Sequence, residues 1–359
     1  MKKISLVFFF GLCFFTANAQ SLQVSRDAST QGNSTSQFLV GEGEQISITN
    51  SSLKFDPDAV SADVSESGLS ASVDASGISV FDGNGSELID TRYDMISDDS
   101  SLKIYATWNG SFIVRDNIAN FSMYNSFGNI DYSVSNSSQS TEGESISELA
   151  ADPAFRTVVL FNPKIVRNGQ EGSRARYIKN GKAIDFFSSQ NRAIRSVHVS
   201  ENGQFIGIVT YNAGTEDEVS ITDRFGNELS KIPFDQTITD VRFSDDGRFV
   251  TLRSNSRVAA HSVVTGERVG STSFRSTLHF AKYIPEDETI IALTGDKSGS
   301  VLTNVEVHAI NVSERAIERE ELNFSLGVTD LIPLKLTREG RFSYTFSGFN
   351  QKLKVNASF

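Results

Sequence analysis

VSENGQFIGIV at residues 199–209 and FSDDGRFVTL at residues 243–252 are two copies of one unit. Each begins with a polar turn, Ser200-Glu201-Asn202-Gly203 or Ser244-Asp245-Asp246-Gly247, and runs into a short apolar segment. Ser, Asp and Asn side chains bond to nearby backbone amides, and Gly accepts the positive φ that closes a tight connection. The apolar segment behind the turn reads as a strand buried on both faces.

Working outward, VSESG at 64–68 repeats the turn, and ISDDS at 96–100 repeats it with Ser in the glycine slot. LTREG at 336–340 precedes RFSYTF, and YIPEDETIIAL at 283–293 fits with one residue inserted. About twenty residues beyond several of these turns comes a second element, a Gly-containing hairpin flanked by alternating residues. Asp223-Arg224-Phe225-Gly226-Asn227 pairs with Asn125-Ser126-Phe127-Gly128-Asn129, and looser versions stand at 82–85, 180–182 and 265–267. With the glycine slot as marker, the positions are 68, 100, near 153, 203, 247, about 288 and 340, at intervals of 32, 53, 50, 44, 41 and 52. A repeat of ~40–50 residues holding four short strands is the signature of a β-propeller. The reading is therefore all-β, with about seven four-stranded blades, six or eight remaining open. The last marker leaves too little chain for a full blade, so residues 37–49 (QFLVGEGEQISIT) are expected to supply the missing strand. Strands from both termini would then close the ring and remove its open edge.

The turn-plus-strand pattern and the hairpin Val264-Thr265-Gly266-Glu267-Arg268-Val269 resemble the bacterial WD40-like and YVTN-type propeller repeats, over about residues 55–359. The resemblance is to a superfamily. The repeated Trp-Asp pair of true WD40 blades is missing, since the single tryptophan, Trp108, precedes Asn109. The repeated tryptophans of quinoprotein propellers and the Asp boxes of sialidases are missing too.

Lys2 and Lys3, the apolar run Ile4 to Phe15 and the small residues Ala17 and Ala19 predict a signal peptide over 1–19, cleaved before Gln20. That places the protein outside the cytoplasm, in the periplasm or secreted, with no membrane span after cleavage. A polar tail over 20–36 and one propeller domain over 37–359 complete the expected organisation. Cys13 is the only cysteine and falls in the leader, so the mature chain has no disulfide, thiolate metal site or cysteine nucleophile. Charge is uneven: residues 20–150 hold 5 Lys/Arg against 19 Asp/Glu, and residues 151–359 hold 26 against 25. This balance disfavours nucleic acid, whose phosphates demand a cationic surface.

The four histidines, His198, His261, His279 and His308, show no metal-ligand spacing. Asp82-Gly83-Asn84-Gly85-Ser86-Glu87 resembles the start of a calcium loop, but Tyr93 stands at the twelfth position where Glu is required. The repeat register reads it as a hairpin turn. The pairs Asp98-Asp99 and Asp245-Asp246 occupy equivalent turns, which accounts for them structurally. No catalytic residue, metal ligand or cofactor site is assigned. The densest basic run, Lys164, Arg167, Arg174, Arg176, Lys179 and Lys182, is the candidate ligand-contact patch for an anionic polysaccharide or a carboxylate-rich partner. The expected function is an exported, non-enzymatic, monomeric scaffold for a protein or polysaccharide partner. A hydrolase or lactonase-like enzyme working at the channel mouth is the first alternative. An outer-membrane β-barrel is the second, because Leu353 to Phe359 alternates and ends in Phe.

Overall fold

The computed structural model describes residues 21–26, 35–40, 44–49, 54, 56, 59–65, 68–74, 76–92, 102–107, 109–116, 118–137, 145–167, 169–212, 216–328, 334–348 and 352–359. The expected leader, the Ser97-Asp98-Asp99-Ser100 turn, Tyr93 and Trp108 lie outside them.

Local turn chemistry sets the architecture. In each blade four strands form an antiparallel meander, giving seven separate blade sheets among the described residues, beside one two-stranded pair. Blade one is Ser61–Val64, Ser70–Val73, Gly77–Phe81 and Glu87–Arg92. Blade two is Lys103–Ala106, Phe112–Arg115, Asn120–Tyr124 and Ile130–Ser135, and blade three is Glu148–Ala151, Val158–Arg167, Gln170–Lys179 and Lys182–Ser189. Blade four is Ala193–Val199, Phe205–Tyr211, Asp217–Asp223 and Glu228–Phe234. Blade five is Asp240–Phe243, Phe249–Arg253, Arg257–Ser262 and Arg268–Ser273. Blade six is Leu278–Ile284, Thr289–Ser298, Val301–Asn311 and Ala316–Glu321, with Leu326–Gly327 added at the edge. Blade seven is Lys335–Gly340, Ser343–Ser347 and Leu353–Asn356, completed by Gln23–Arg26. The strands do not close into one continuous sheet, which removes the barrel alternative.

Closure by both termini holds, but a different segment performs it. Gln23–Arg26 pairs antiparallel with Leu353–Asn356, so part of the expected tail is a structural strand. The segment expected in that place folds back on itself, Thr35–Val40 pairing with Glu44–Thr49. The physical reason is anchoring. Val24 N donates to Glu320 Oε2 at 2.6 Å, and the Arg26 guanidinium sits 3.7 Å from the centroid of Phe324. Both partners lie in or just beyond blade six, out of reach of local sequence reading.

The first turn of each blade is the repeat marker made visible. Its fourth residue takes a positive φ at Gly68, Gly110, Phe155, Gly203, Gly247, Glu288 and Phe342. Those positions are separated by 42, 45, 48, 44, 41 and 54 residues. Three sequence markers therefore move. The second is Gly110, in the turn Thr107 to Ser111, rather than Ser100; the third is Phe155 rather than Pro153; the last is Phe342 rather than Gly340.

Between blades lie layers of buried side chains. Val209, Ile221 and Ile232 of blade four meet Val241, Val250 and Leu252 of blade five. Phe280 and Leu293 of blade six meet Tyr344, Phe346 and Leu353 of blade seven. Each fully buried Leu, Ile or Phe contributes about 1.5–3 kcal/mol. A meander buries both faces only with neighbours on both sides, which is why the ring must close.

Candidate functional site

The first strands of blades one and two, and those of blades three and four, lie against each other. Alternation along the first strands puts polar side chains on one face. Asp63, Lys103, Tyr105, Glu148, Ser196, His198, Asp240, Arg242 and Lys282 all stand there, an inward polar set that the sequence did not advertise.

These groups are largely committed to one another. Glu148 accepts from Lys103 Nζ at 3.0 Å, Arg115 Nη1 at 3.1 Å and the Tyr105 hydroxyl at 3.2 Å. Burial alone would raise its carboxyl, but the two cations outweigh it and hold Glu148 below its ordinary value. Across the ring, Asp240 Oδ2 accepts from Arg242 Nε at 2.7 Å. Burial again pulls upward, and Arg242, His198 and Arg253 bring Asp240 down. Burial lowers His198, favouring the neutral imidazole, whose Nε2 lies 2.9 Å from Ser196 Oγ. Serine, histidine and aspartate thus share one wall, but Oδ2 of Asp240 is held by Arg242, so the relay that orients a catalytic imidazole is not assembled. Lys282, buried, bonds to Asp245 Oδ1 at 2.6 Å, joining blade six to the first turn of blade five.

The other sequence candidates resolve into turn chemistry. Asp82 Oδ1 accepts the amides of Asn84 at 2.9 Å and Ser86 at 2.7 Å, the work of a hairpin residue. Asp223 and Asn125 do the same in blades four and two. Asp246 accepts from Ser244 Oγ and from the amide of Arg248. His308 lies 3.0 Å from Thr294 Oγ1 and packs on Phe274 inside blade six. Among the described residues no group of three His, Cys, Asp or Glu is placed to hold a metal ion.

The basic run of 164–182 falls on the middle strands of blade three, and the structure divides it. Lys164 pairs with Glu171 on the facing strand. Arg174 is buried, donating from Nε to Asn162 Oδ1 at 2.9 Å and from Nη2 to the carbonyl of Asn136 at 2.6 Å. Arg176 donates to Asp185 at 2.7 Å. Lys179 and Lys182 face each other across the hairpin at the far end of the strands, both exposed. The side chain of Arg167 lies outside the described residues. Arg174 and Lys179 are five residues apart along one strand, roughly 16 Å at strand rise, so the run is not a single patch. A cavity of about 650 Å³ opens at one end of it, lined by Gln170, Ser173, Arg174, Asp185, Ser188 and Gln190 with Phe186 and Phe187. The doubled phenylalanine follows from a bulge opposite Ala175 and Arg176.

Solved structures share this arrangement. The chain matches the Dos1 propeller with a TM-score of 0.50 at 10% identity, covering 81% of this chain and 76% of that one. It matches a chain of a mitotic checkpoint complex at 0.52 and 11% identity, covering the whole of both. It matches BamB from Moraxella catarrhalis at 0.50 and 12% identity, covering 94% of this chain and 98% of that one. The fold is a β-propeller. No protein-family model and no curated protein matches the sequence. Likeness at such identities carries the architecture and nothing about ligands. Among the described residues no helix of the propeller is long and apolar enough to cross a membrane.

Proposed function

We propose that this propeller is an exported, non-enzymatic scaffold that binds a carboxylate-bearing macromolecule, protein or polysaccharide, on blade three. The observation that carries this reading is the blade-three cavity. It combines polar side chains, aromatic rings and a guanidinium, the usual means of fixing a polar ligand. Arg176 is bonded to an Asp185 whose side chain is 68% exposed. That pair lies beside the cavity, whose own guanidinium is Arg174, held by Asn162 and the carbonyl of Asn136. The axial charges accord with the same reading, because Glu148, Asp240 and Lys282 are paired with Lys103, Arg242 and Asp245.

The test is affinity electrophoresis of residues 20–359 in gels containing polygalacturonate. Wild type should be retarded in a salt-sensitive manner. Ser188→Trp, which fills the cavity from an exposed position, should restore free mobility. Equal mobility of the two proteins in the charged gel would remove blade three as the contact.

A further inference from the structure

A second cavity, of about 210 Å³, lies where the first strands of blades one, two and three reach their turns. Its floor is apolar, formed by Val64, Ala106, Leu149 and Ala151, with Pro153 and Phe155 at the blade-three turn. Asp63 and Tyr105 supply its polar groups together with Ser65 and Asp152. Three recessed acids stand on the axial side of the first strands, and two of them, Glu148 and Asp240, hold cationic side chains. Asp63 does not. Its Oδ1 accepts the amide of Val64 at 2.9 Å and its Oδ2 that of Ala106 at 2.8 Å.

We infer that this cavity is a binding pocket for a protonated primary amine, with Asp63 as its counter-ion and Tyr105 as its aromatic wall. A carboxylate withdrawn from bulk water and bonded only to backbone amides lacks one partner, a cation. An ammonium group supplies the charge, and its alkyl stem matches the apolar floor. The ring of Tyr105 adds apolar surface to the wall, with the Lys103 ammonium 5.2 Å from its centroid. The surroundings do not supply that cation internally. Lys103 contributes a weak field, but its ammonium is bound to Glu148, itself shared with Arg115 and the Tyr105 hydroxyl. Asp152 is spent on the amides of Ala154 and Thr157 and on Arg156. Blades one and two also belong to the acidic third of the chain, which concentrates cations near the mouth. Desolvation by burial pushes the Asp63 carboxyl up to about 6, against the pull of two amides and Lys103, as expected of a recessed acid without a close cation. The pocket is independent of the blade-three reading.

The probe is N-α-acetyl-lysine methylamide, followed by chemical-shift titration of the full mature chain, with the N-ε-acetylated compound as control. We expect saturable binding on the order of millimolar at pH 8. Protonation of Asp63, raised to about 6, should make it about tenfold weaker at pH 5. The neutral control should not bind. Asp63→Asn should abolish binding at both pH values while keeping a cooperative thermal transition no lower than that of wild type. Ala151→Leu, which narrows the pocket and spares the carboxylate, should weaken binding at both pH values, and it decides the matter if Asp63→Asn fails to fold. Equal binding of the acetylated probe, unchanged binding by either folded variant, or no binding by wild type would each overturn the pocket. A failure here with blade-three retardation intact leaves the scaffold reading standing.

Discussion

The first turns of blades four and five and that of blade six have the same backbone shape and different means of support. In blades four and five the leading serine caps the turn's own amides. Ser200 Oγ accepts the amides of Gln204 and Phe205 and donates to Asn202, and Ser244 repeats this with Phe249 and Asp246. Glycine fills the positive-φ slot. In blades three and six the slot holds Phe155 and Glu288, at φ 53° and 49°. In blade three Asp152 caps its own turn, accepting from Ala154, Arg156 and Thr157, whereas in blade six an aspartate holds the next blade. Asp152 takes the amide of Thr157, whose hydroxyl donates to the carbonyl of Gly203 at 2.7 Å. Asp287, its side chain fully buried, accepts from Arg338 at 2.8 and 2.9 Å, from the Tyr344 hydroxyl at 2.9 Å and from the Phe342 amide at 3.2 Å. The difference teaches that one turn geometry is sustained either by local residue choice or by contacts from the neighbouring blade.

Removing the aspartate from each kind of turn should separate the two most sharply. Asp287→Ala leaves a guanidinium, a phenol and an amide without their acceptor, at a cost of about 3–5 kcal/mol. Asp246→Ala loses bonds inside a half-exposed turn and should cost about 1 kcal/mol. Urea denaturation of both variants reads the difference. Equal costs would mean that the turn of blade six is as self-contained as that of blade five.

The same contrast explains what the sequence made legible. Where support is local, as in SENG and SDDG, composition announces the turn, and the four-strand repeat follows. Where the positive-φ slot is not filled by glycine, the sequence shows only Pro153 to Phe155 or Pro285 to Glu288, and the marker is faint or displaced. The blade-two turn was passed over for a different reason. Thr107, Asn109 and Gly110 reproduce the hydroxyl–Asx–Gly pattern, Thr107 Oγ1 donating to Asn109 Oδ1 at 2.5 Å, but Trp108 at its second position disguises it. The axial acids were invisible for a tertiary cause. Asp63, Glu148 and Asp240 come from three repeats, and only ring closure sets them on one wall. The basic run was legible as composition, whereas its division into buried, paired and exposed members required the strand register.

Acid titration sharpens the comparison at the next level. Burial would raise Asp287, but Arg338, Tyr344 and the Phe342 amide bring it below 3.8. Its folded value is depressed, so its contribution is complete above the unfolded value and is lost as pH falls through the folded one. Asp63 has the opposite sign. Its folded value is raised to about 6, so its contribution is present below 3.8 and is lost as pH rises through 6. Stability measured from pH 3 to pH 8 should therefore differ between wild type and Asp287→Asn mainly above pH 4. For Asp63→Asn the variant should gain on wild type between pH 4 and pH 7, by on the order of 1–2 kcal/mol. Parallel curves for the two variants would contradict the assignment of one acid as a lock and the other as an unpaired group.

The glycine slot itself is tested by a pair of variants, the second of which has the smallest expected effect. Gly247 has φ 72°, and a Cβ there would meet Phe205 Cε2 at 2.6 Å, so Gly247→Ala combines backbone strain with a clash against a packed ring. Its cost should be about 2–3 kcal/mol. Glu288 occupies the equivalent slot at φ 49° with an exposed side chain. A non-glycine residue held there stores about 1 kcal/mol of strain, and Glu288→Gly relieves it. Glycine also widens the unfolded ensemble, which returns most of that gain, so the net should be a stabilisation of about 0.5 kcal/mol or less. The sign is what matters. Thermal denaturation showing Glu288→Gly clearly destabilised would mean that the glutamate side chain holds its turn directly, and the division between self-supported and neighbour-supported turns would fail at blade six.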